Sequence, residues 1–112
     1  MSEPIQKGSI ASTLLHCQDS AGDAVNADAT PTVSHVYVNA AAAATTGFTM
    51  AQAQDQTPAN VVGSYFLSFP TASYAKGDQV DVTVEAVIAG VTVRKSYHFG
   101  IVDDPAQRPR LI

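Results

Sequence analysis

The sequence predicts an all-β fold built as an antiparallel sandwich, and three observations lead to this prediction. Apolar and polar residues alternate with period two, most regularly over residues 77–102, "GDQVDVTVEAVIAGVTVRKSYHFGIV". At least five such segments follow one another at hairpin or loop spacing. No convincing amphipathic helix separates them, which favours a sandwich over an α/β fold.

The first predicted strand lies in "GSIASTLLHCQD", and the turn residues of "DSAGD" close it. The segment "TVSHVYVNA" predicts the next strand, with Val36 and Val38 on the face opposite His35 and Tyr37. Further on, "GSYFLSFP" places Tyr65, Leu67 and Phe69 on one face of a strand that ends at Pro70, before a turn in "ASYAKGD".

The segment from Ala40 to Asn60 is ambiguous. Its run of five alanines has high helix propensity, but β-branched residues flank it and it has no apolar stripe. We interpret it as strand, loop and then a short turn or helical piece, either a binding surface or a plain connection between sheets.

The last two strands form a predicted β-hairpin. Alternate residues of the first strand share an apolar face, and "AGV" supplies a tight connection to the second. Lys95 interrupts the apolar face of the second strand, which indicates a register change, an edge position or a stem packed along apolar neighbours. The apolar faces comprise Val80, Val82, Val84, Ala86 and Ile88, then Val91, Val93, Tyr97, Phe99 and Ile101.

Charge is sparse and unevenly placed. Charged residues make up 14% of the 112-residue chain, against a usual value of about 25%. No Lys or Arg occurs between Lys7 and Lys76, and the formal net charge is −4. Nucleic acids and anionic lipids attract clustered cations, so neither is an expected partner. A surface with few charges also loses little hydration energy on contact with another protein.

The chain length fits one domain. The start "MSEPIQKGS" lacks the apolar region of a signal peptide, and no apolar run approaches the length of a membrane span. We therefore expect synthesis in the cytoplasm and no membrane association. The single cysteine, Cys17, cannot form an internal disulfide, so the core must supply the stability.

Candidate chemistry is weak throughout the chain. His16 and Cys17 are consecutive strand residues that point to opposite faces, which argues against a shared metal ion. The stretch "DSAGDAVNAD" fails the EF-hand calcium pattern, because Ala21 stands where an oxygen ligand is required. No nucleophile elbow supports a catalytic triad. We predict no catalytic residue, cofactor or metal. The calcium candidates were Asp19, Asp23, Asn26 and Asp28.

Three segments together resemble the small Ig-like or transthyretin-like β-sandwich proteins among the structural proteins of tailed bacteriophages. The segments are "DSAGDAVNADATPTVSHVYVNA", "GSYFLSF" and "KGDQVDVTVEAVIAGVTVRKSYHFGIV". The resemblance covers roughly residues 8–102 and implies an Ig-like sandwich of about seven strands. A short N-terminal arm (1–7) then precedes the domain, and an extended C-terminal tail (103–112) follows it.

The resemblance also implies a non-enzymatic virion protein, present in many copies, that decorates the capsid or joins the neck and tail region. Its expected location is the virion. Its expected partners are capsid, portal, neck or tail subunits and further copies of itself. We expect the tail to dock on a neighbouring chain, unless it is simply disordered, through Pro105, Arg108, Arg110, Leu111 and Ile112.

Two other classes of function stay open at this stage. A carbohydrate- or receptor-binding module would stack sugar rings on exposed tyrosines, although the chain has no tryptophan. An enzyme would need a deep pocket with a clustered acid and nucleophile. The tyrosines available for stacking are Tyr37, Tyr65, Tyr74 and Tyr97.

Overall fold

The structure, a computed structural model, describes residues 3–6, 8–57 and 59–102. This part of the chain contains eight β-strands and no helix, so the predicted all-β fold is confirmed with one strand more than expected. The strands are β1 (Glu3–Gln6), β2 (Ile10–His16), β3 (Thr32–Val38), β4 (Ala41–Ala43), β5 (Thr49–Gln54), β6 (Asn60–Pro70), β7 (Gln79–Ile88) and β8 (Val91–Val102).

The strands form two sheets that pack face to face as a β-sandwich. One sheet has five strands in the order β1-β8-β7-β3-β4, and the other has three in the order β2-β6-β5. All neighbouring strands are antiparallel except β1 and β8, which run parallel. The chain therefore crosses between the sheets several times before it ends in the long β7–β8 hairpin.

The structure places residues 3–6, which the sequence assigned to a polar arm, in the sheet. They form β1, which pairs with residues 99–102 of β8. Strand β1 is short and its bonds to β8 are made by the backbone, so side-chain alternation gives little sign of it. Ile5 packs against the core. The domain consequently begins before residue 8.

The core lies between the two sheets and follows the predicted alternation. From β7 it takes Val80, Val82 and Val84, and all three are almost fully buried. Such burial contributes roughly 1.5–3 kcal/mol per large apolar side chain relative to exposure. The other buried apolar residues are Ala11, Leu15, Cys17, Val36, Ala53, Tyr65, Leu67, Phe69, Ala86, Phe99 and Ile101.

The predicted tight turn between β7 and β8 is confirmed. Ala89 and Gly90 have φ values of 50° and 78°, as a two-residue type I′ hairpin turn requires. The carboxylate of Asp28 accepts hydrogen bonds from both of their backbone N–H groups, at 3.1 and 2.9 Å. Asp28 thus holds the turn from a loop far away in the sequence.

Lys95 marks an edge of the sheet and not a register change. The pairing of β7 with β8 is continuous from Gln79↔Gly100 to Ile88↔Val91. The Nζ atom of Lys95 lies 5.3 Å from the centre of the Tyr97 ring, so its stem runs along that residue. Of the three interpretations of Lys95, the structure supports the edge position and the packed stem.

The alanine-rich segment is β-structure. Asn39 and Ala40 have φ values of 51° and 66° and form a second tight turn, between β3 and β4. No helical piece follows among the described residues; β5 takes its place and pairs with β6. The pairing partners Phe66, Leu67 and Ser68 belong to the next strand, and this pairing decides the outcome against local propensity.

The predicted tail interface lies outside the described residues. It comprises Pro105, Arg108, Arg110, Leu111 and Ile112, and it stays a prediction.

Candidate interaction surfaces

Among the described residues, the outward face of the three-stranded sheet carries no Asp, Glu, Lys or Arg side chain. We call it the uncharged face. Its central row joins Leu14, Phe66 and Ala51 across β2, β6 and β5. The Leu14 and Phe66 side chains are each 41% exposed, although both are large and apolar. The other members of the uncharged face are Ile10, Ser12, His16, Thr49, Ser64, Ser68 and Pro70.

The polar groups of the uncharged face pair with one another. The hydroxyl groups of Thr49 and Ser68 lie 2.8 Å apart. The Nδ1 atom of His16 lies 3.2 Å from the Ser64 hydroxyl. These polar groups keep their hydrogen bonds to one another when a partner covers the face. The free-energy cost of removing water from them is therefore lower.

The outward face of the five-stranded sheet is different, because it carries charge. We call it the charged face. His98 Nδ1 lies 2.7 Å from an Asp81 carboxylate oxygen, and Arg94 Nε lies 2.9 Å from Glu85. These pairs span β7 and β8 in direct register. Tyr37 pairs in register with Asp81 on the other side of β7, and its ring stacks on that of His35 with centroids 6.4 Å apart.

Only one of the four tyrosines considered for sugar stacking is exposed. Tyr37 is 39% exposed on the charged face. Tyr65 is in the core, where its hydroxyl accepts a hydrogen bond from the Ala27 N–H, so it cannot stack on a ligand. Tyr74 and Tyr97 are half-buried, and burial raises the pKa of both hydroxyls.

The residues first weighed as metal ligands make other contacts. His16 is exposed while Cys17 is buried. Among the described residues no group of three His, Cys, Asp or Glu side chains is placed to hold a metal ion. The Asp19 carboxylate accepts hydrogen bonds from the N–H groups of Ala21 and Asp23, which closes the predicted turn.

Cys17 is a free thiol in the core. Burial raises the pKa of this thiol, so it is protonated at neutral pH. Because the pKa is higher in the folded than in the unfolded chain, the protonated thiol contributes to the free energy of unfolding. This contribution is fully present at pH values below the pKa of the unfolded chain. It is lost as the pH rises through the folded value.

No helix among the described residues has the length and apolar character needed to cross a membrane.

Sequence reasoning did not identify the residues of the uncharged face as functional candidates. The available signal was the absence of lysine and arginine between residues 7 and 76, which spans β2, β5 and β6. Alternation also placed Phe66 opposite the core-facing Tyr65 and Leu67. Neither pattern shows that the two strands are neighbours, and this pairing is what creates the central row.

Comparison with known proteins returned no matching family model, no matching curated protein and no matching solved structure.

Proposed function

We propose that this protein is a non-enzymatic structural component of a bacteriophage virion. In this proposal it decorates the capsid or joins the neck and tail region through protein–protein contacts. The proposal starts from the resemblance of residues 8–102 to small sandwich proteins of tailed phages. It places the function on the outer surfaces of the domain.

The observation that carries the proposal is the uncharged face. A charged group at the centre of a protein interface must lose its hydration, which costs free energy unless it is paired there. The uncharged face has no such group, and two of its large exposed side chains, Leu14 and Phe66, stand side by side. Many copies in a symmetric particle then sum weak single contacts into stable attachment.

The experiment uses two aromatic residues with nearly equal exposure on opposite faces. Phage particles that lack the wild-type chain are assembled in cells expressing wild type, Phe66→Lys or Tyr37→Lys, then purified and quantified by mass spectrometry. We expect about tenfold less Phe66→Lys than wild type in the particles, because the new ammonium group is desolvated in the contact. Tyr37→Lys should be incorporated like wild type.

Thermal melting of the isolated proteins controls for folding, and both variants should melt close to wild type. Two results would contradict the proposal. One is absence of the wild-type chain from purified particles. The other is full incorporation of Phe66→Lys, which would remove the uncharged face from the assembly contacts.

A specific observation favours a second candidate, a carbohydrate-binding module. Tyr37 offers an exposed ring next to Asp81, whose carboxylate pairs with the imidazole of His98 on the other side of β7. Sugar-binding sites combine an aromatic ring with such hydrogen-bonding groups. Binding of the isolated protein to a glycan array, lost in Tyr37→Ala and kept in Phe66→Ala, would support this candidate. No glycan bound by the wild type would exclude it for the sugars on the array.

A further inference from the structure

Strand β8 has an open edge next to the short strand β1. On one side β8 pairs with β7 along its whole length. On the other side β1 pairs only with residues 99–102. No described strand pairs with residues 91–98 on that side. This eight-residue stretch is the open edge of β8.

The geometry of the hairpin shows which backbone groups face outward there. In a two-residue hairpin the residues that flank the turn, Ile88 and Val91, exchange hydrogen bonds. Every second residue of β8 after Val91 therefore bonds to β7. The residues between them direct their N–H and C=O groups away from β7. These outward residues are Thr92, Arg94, Ser96 and His98.

Beside the open edge lies an apolar groove. Val91 and Val93 are on the core-facing side of β8, in line with Phe99 and Ile101, yet they are 62% and 47% exposed. The groove runs between β8 and the end of β2 and has a volume of about 320 Å³ where it passes the turn at Asp19. A smaller cavity next to it shares Ile88 and Val93 and is also lined by Leu15 and Lys95.

The charges at the edge indicate what kind of chain fits. Arg94 and Lys95 are consecutive residues of the open edge and point to opposite faces, Arg94 toward Glu85 on the charged face and Lys95 to the core-facing side. Two copies of β8 paired across this edge would bring these cations together, which is unfavourable. A partner with acidic residues would be attracted instead. Continuity with β1 is a second argument, because β1 already adds to the same edge as a strand.

We infer that the open edge of β8 binds an extended segment of a partner protein, which adds to the five-stranded sheet as a strand. Alternate apolar side chains of this segment cover Val91 and Val93. Acidic side chains between them face Arg94. This mode of recognition takes its affinity from backbone hydrogen bonds and its specificity from alternate side chains. The inference does not depend on the protein being a virion component.

The probe is a fluorescent peptide that copies residues 79–88, because QVDVTVEAVI has alternating apolar residues and two acidic ones. Fluorescence anisotropy with the full chain should show saturable binding. A peptide of scrambled order should not bind. Hydrogen exchange should show new protection at the backbone amides of Thr92, Arg94, Ser96 and His98.

The decisive pair of variants is Ser96→Pro and Ser96→Ala. Proline removes an N–H that points away from β7, so it spares the hairpin hydrogen bonds and should weaken peptide binding about tenfold. The Ser96→Ala variant keeps the backbone N–H and, like the proline variant, lacks the hydroxyl group that lies 3.1 Å from the Thr83 hydroxyl. It should therefore bind the peptide as wild type does. If Ser96→Pro melts far below wild type, Val93→Glu replaces it, since it puts a carboxylate, which repels the acidic peptide, into the groove from a half-exposed position.

Five results would overturn the inference. The peptide fails to bind wild type, or its scrambled form binds equally well. Ser96→Pro, if folded, binds like wild type, which would mean that the peptide displaces β7. Val93→Glu binds like wild type. Finally, a dimer of the protein alone that Ser96→Pro dissociates would make a second copy the occupant of the edge.

Discussion

Replacing Phe69 with alanine should lower the free energy of unfolding by about 3–5 kcal/mol, the range for truncating a buried aromatic side chain. The Phe69 ring lies at the centre of an aromatic cluster that joins the two sheets. Its centroid is 4.6 Å from that of Phe48, 5.2 Å from that of Phe99 and 6.3 Å from that of Tyr74. Its loss removes contacts with both sheets and leaves a cavity. Urea unfolding followed by circular dichroism measures the effect.

Phe66→Ala is the control for this variant. Phe66 lies on the same strand but points outward, so its truncation removes an exposed ring and no core contact. We expect a change within about 1 kcal/mol for it, as for most surface substitutions. Similar losses in the two variants would contradict the assignment of the two faces of β6.

Gly63→Ala should lower the free energy of unfolding by about 3 kcal/mol for two reasons that add. The residue has φ of +77°, which L-residues with a side chain rarely adopt. A Cβ atom there would also lie 2.7 Å from the Cys17 carbonyl oxygen and 2.9 Å from that of Val25. Both obstacles are backbone atoms, and the Cys17 N–H donates to the Gly63 carbonyl at 2.7 Å, so β6 and the loop of residues 17–25 cannot easily move apart.

Gly90→Ala distinguishes the effect of the positive φ from the effect of the close backbone contacts. Gly90 has φ of +78°, but an added Cβ would meet no atom within 4 Å. Its substitution should therefore lose only the conformational part, about 1–2 kcal/mol. Thermal or urea unfolding of the two variants gives the comparison. An equal loss in both would show that the close approach of the β6 strand to residues 17–25 contributes nothing.

Period-two alternation was enough to predict the core because each sheet buries one face. It placed Val80, Val82 and Val84 together, and it placed Tyr65 and Phe69 on the buried side of β6. The same pattern was misleading at the start of β8. Val91 and Val93 continue the apolar face in sequence, but the three-stranded sheet does not extend over them, and they remain exposed. How far one sheet covers another is a property of the packed structure.

Pairings between strands explain the remaining differences. Strand β1 exists because residues 99–102 lie beside it, and β5 because β6 pairs with it. Neither pairing leaves a mark in the local sequence. The central row of the uncharged face has the same origin, since Leu14 and Phe66 become neighbours only through the β2–β6 pairing. The candidate surfaces therefore could not be predicted from the sequence, although the low charge of the region was visible.

The hydrogen bonds from Asp28 to the hairpin turn have a consequence for folding during synthesis on the ribosome. The carboxylate is synthesised 61 and 62 residues before the two amides that it binds. While the early strands emerge, the residues that will cover their apolar sides are still untranslated. The hairpin of β7 and β8 must therefore leave the exit tunnel before its turn can bind the Asp28 carboxylate.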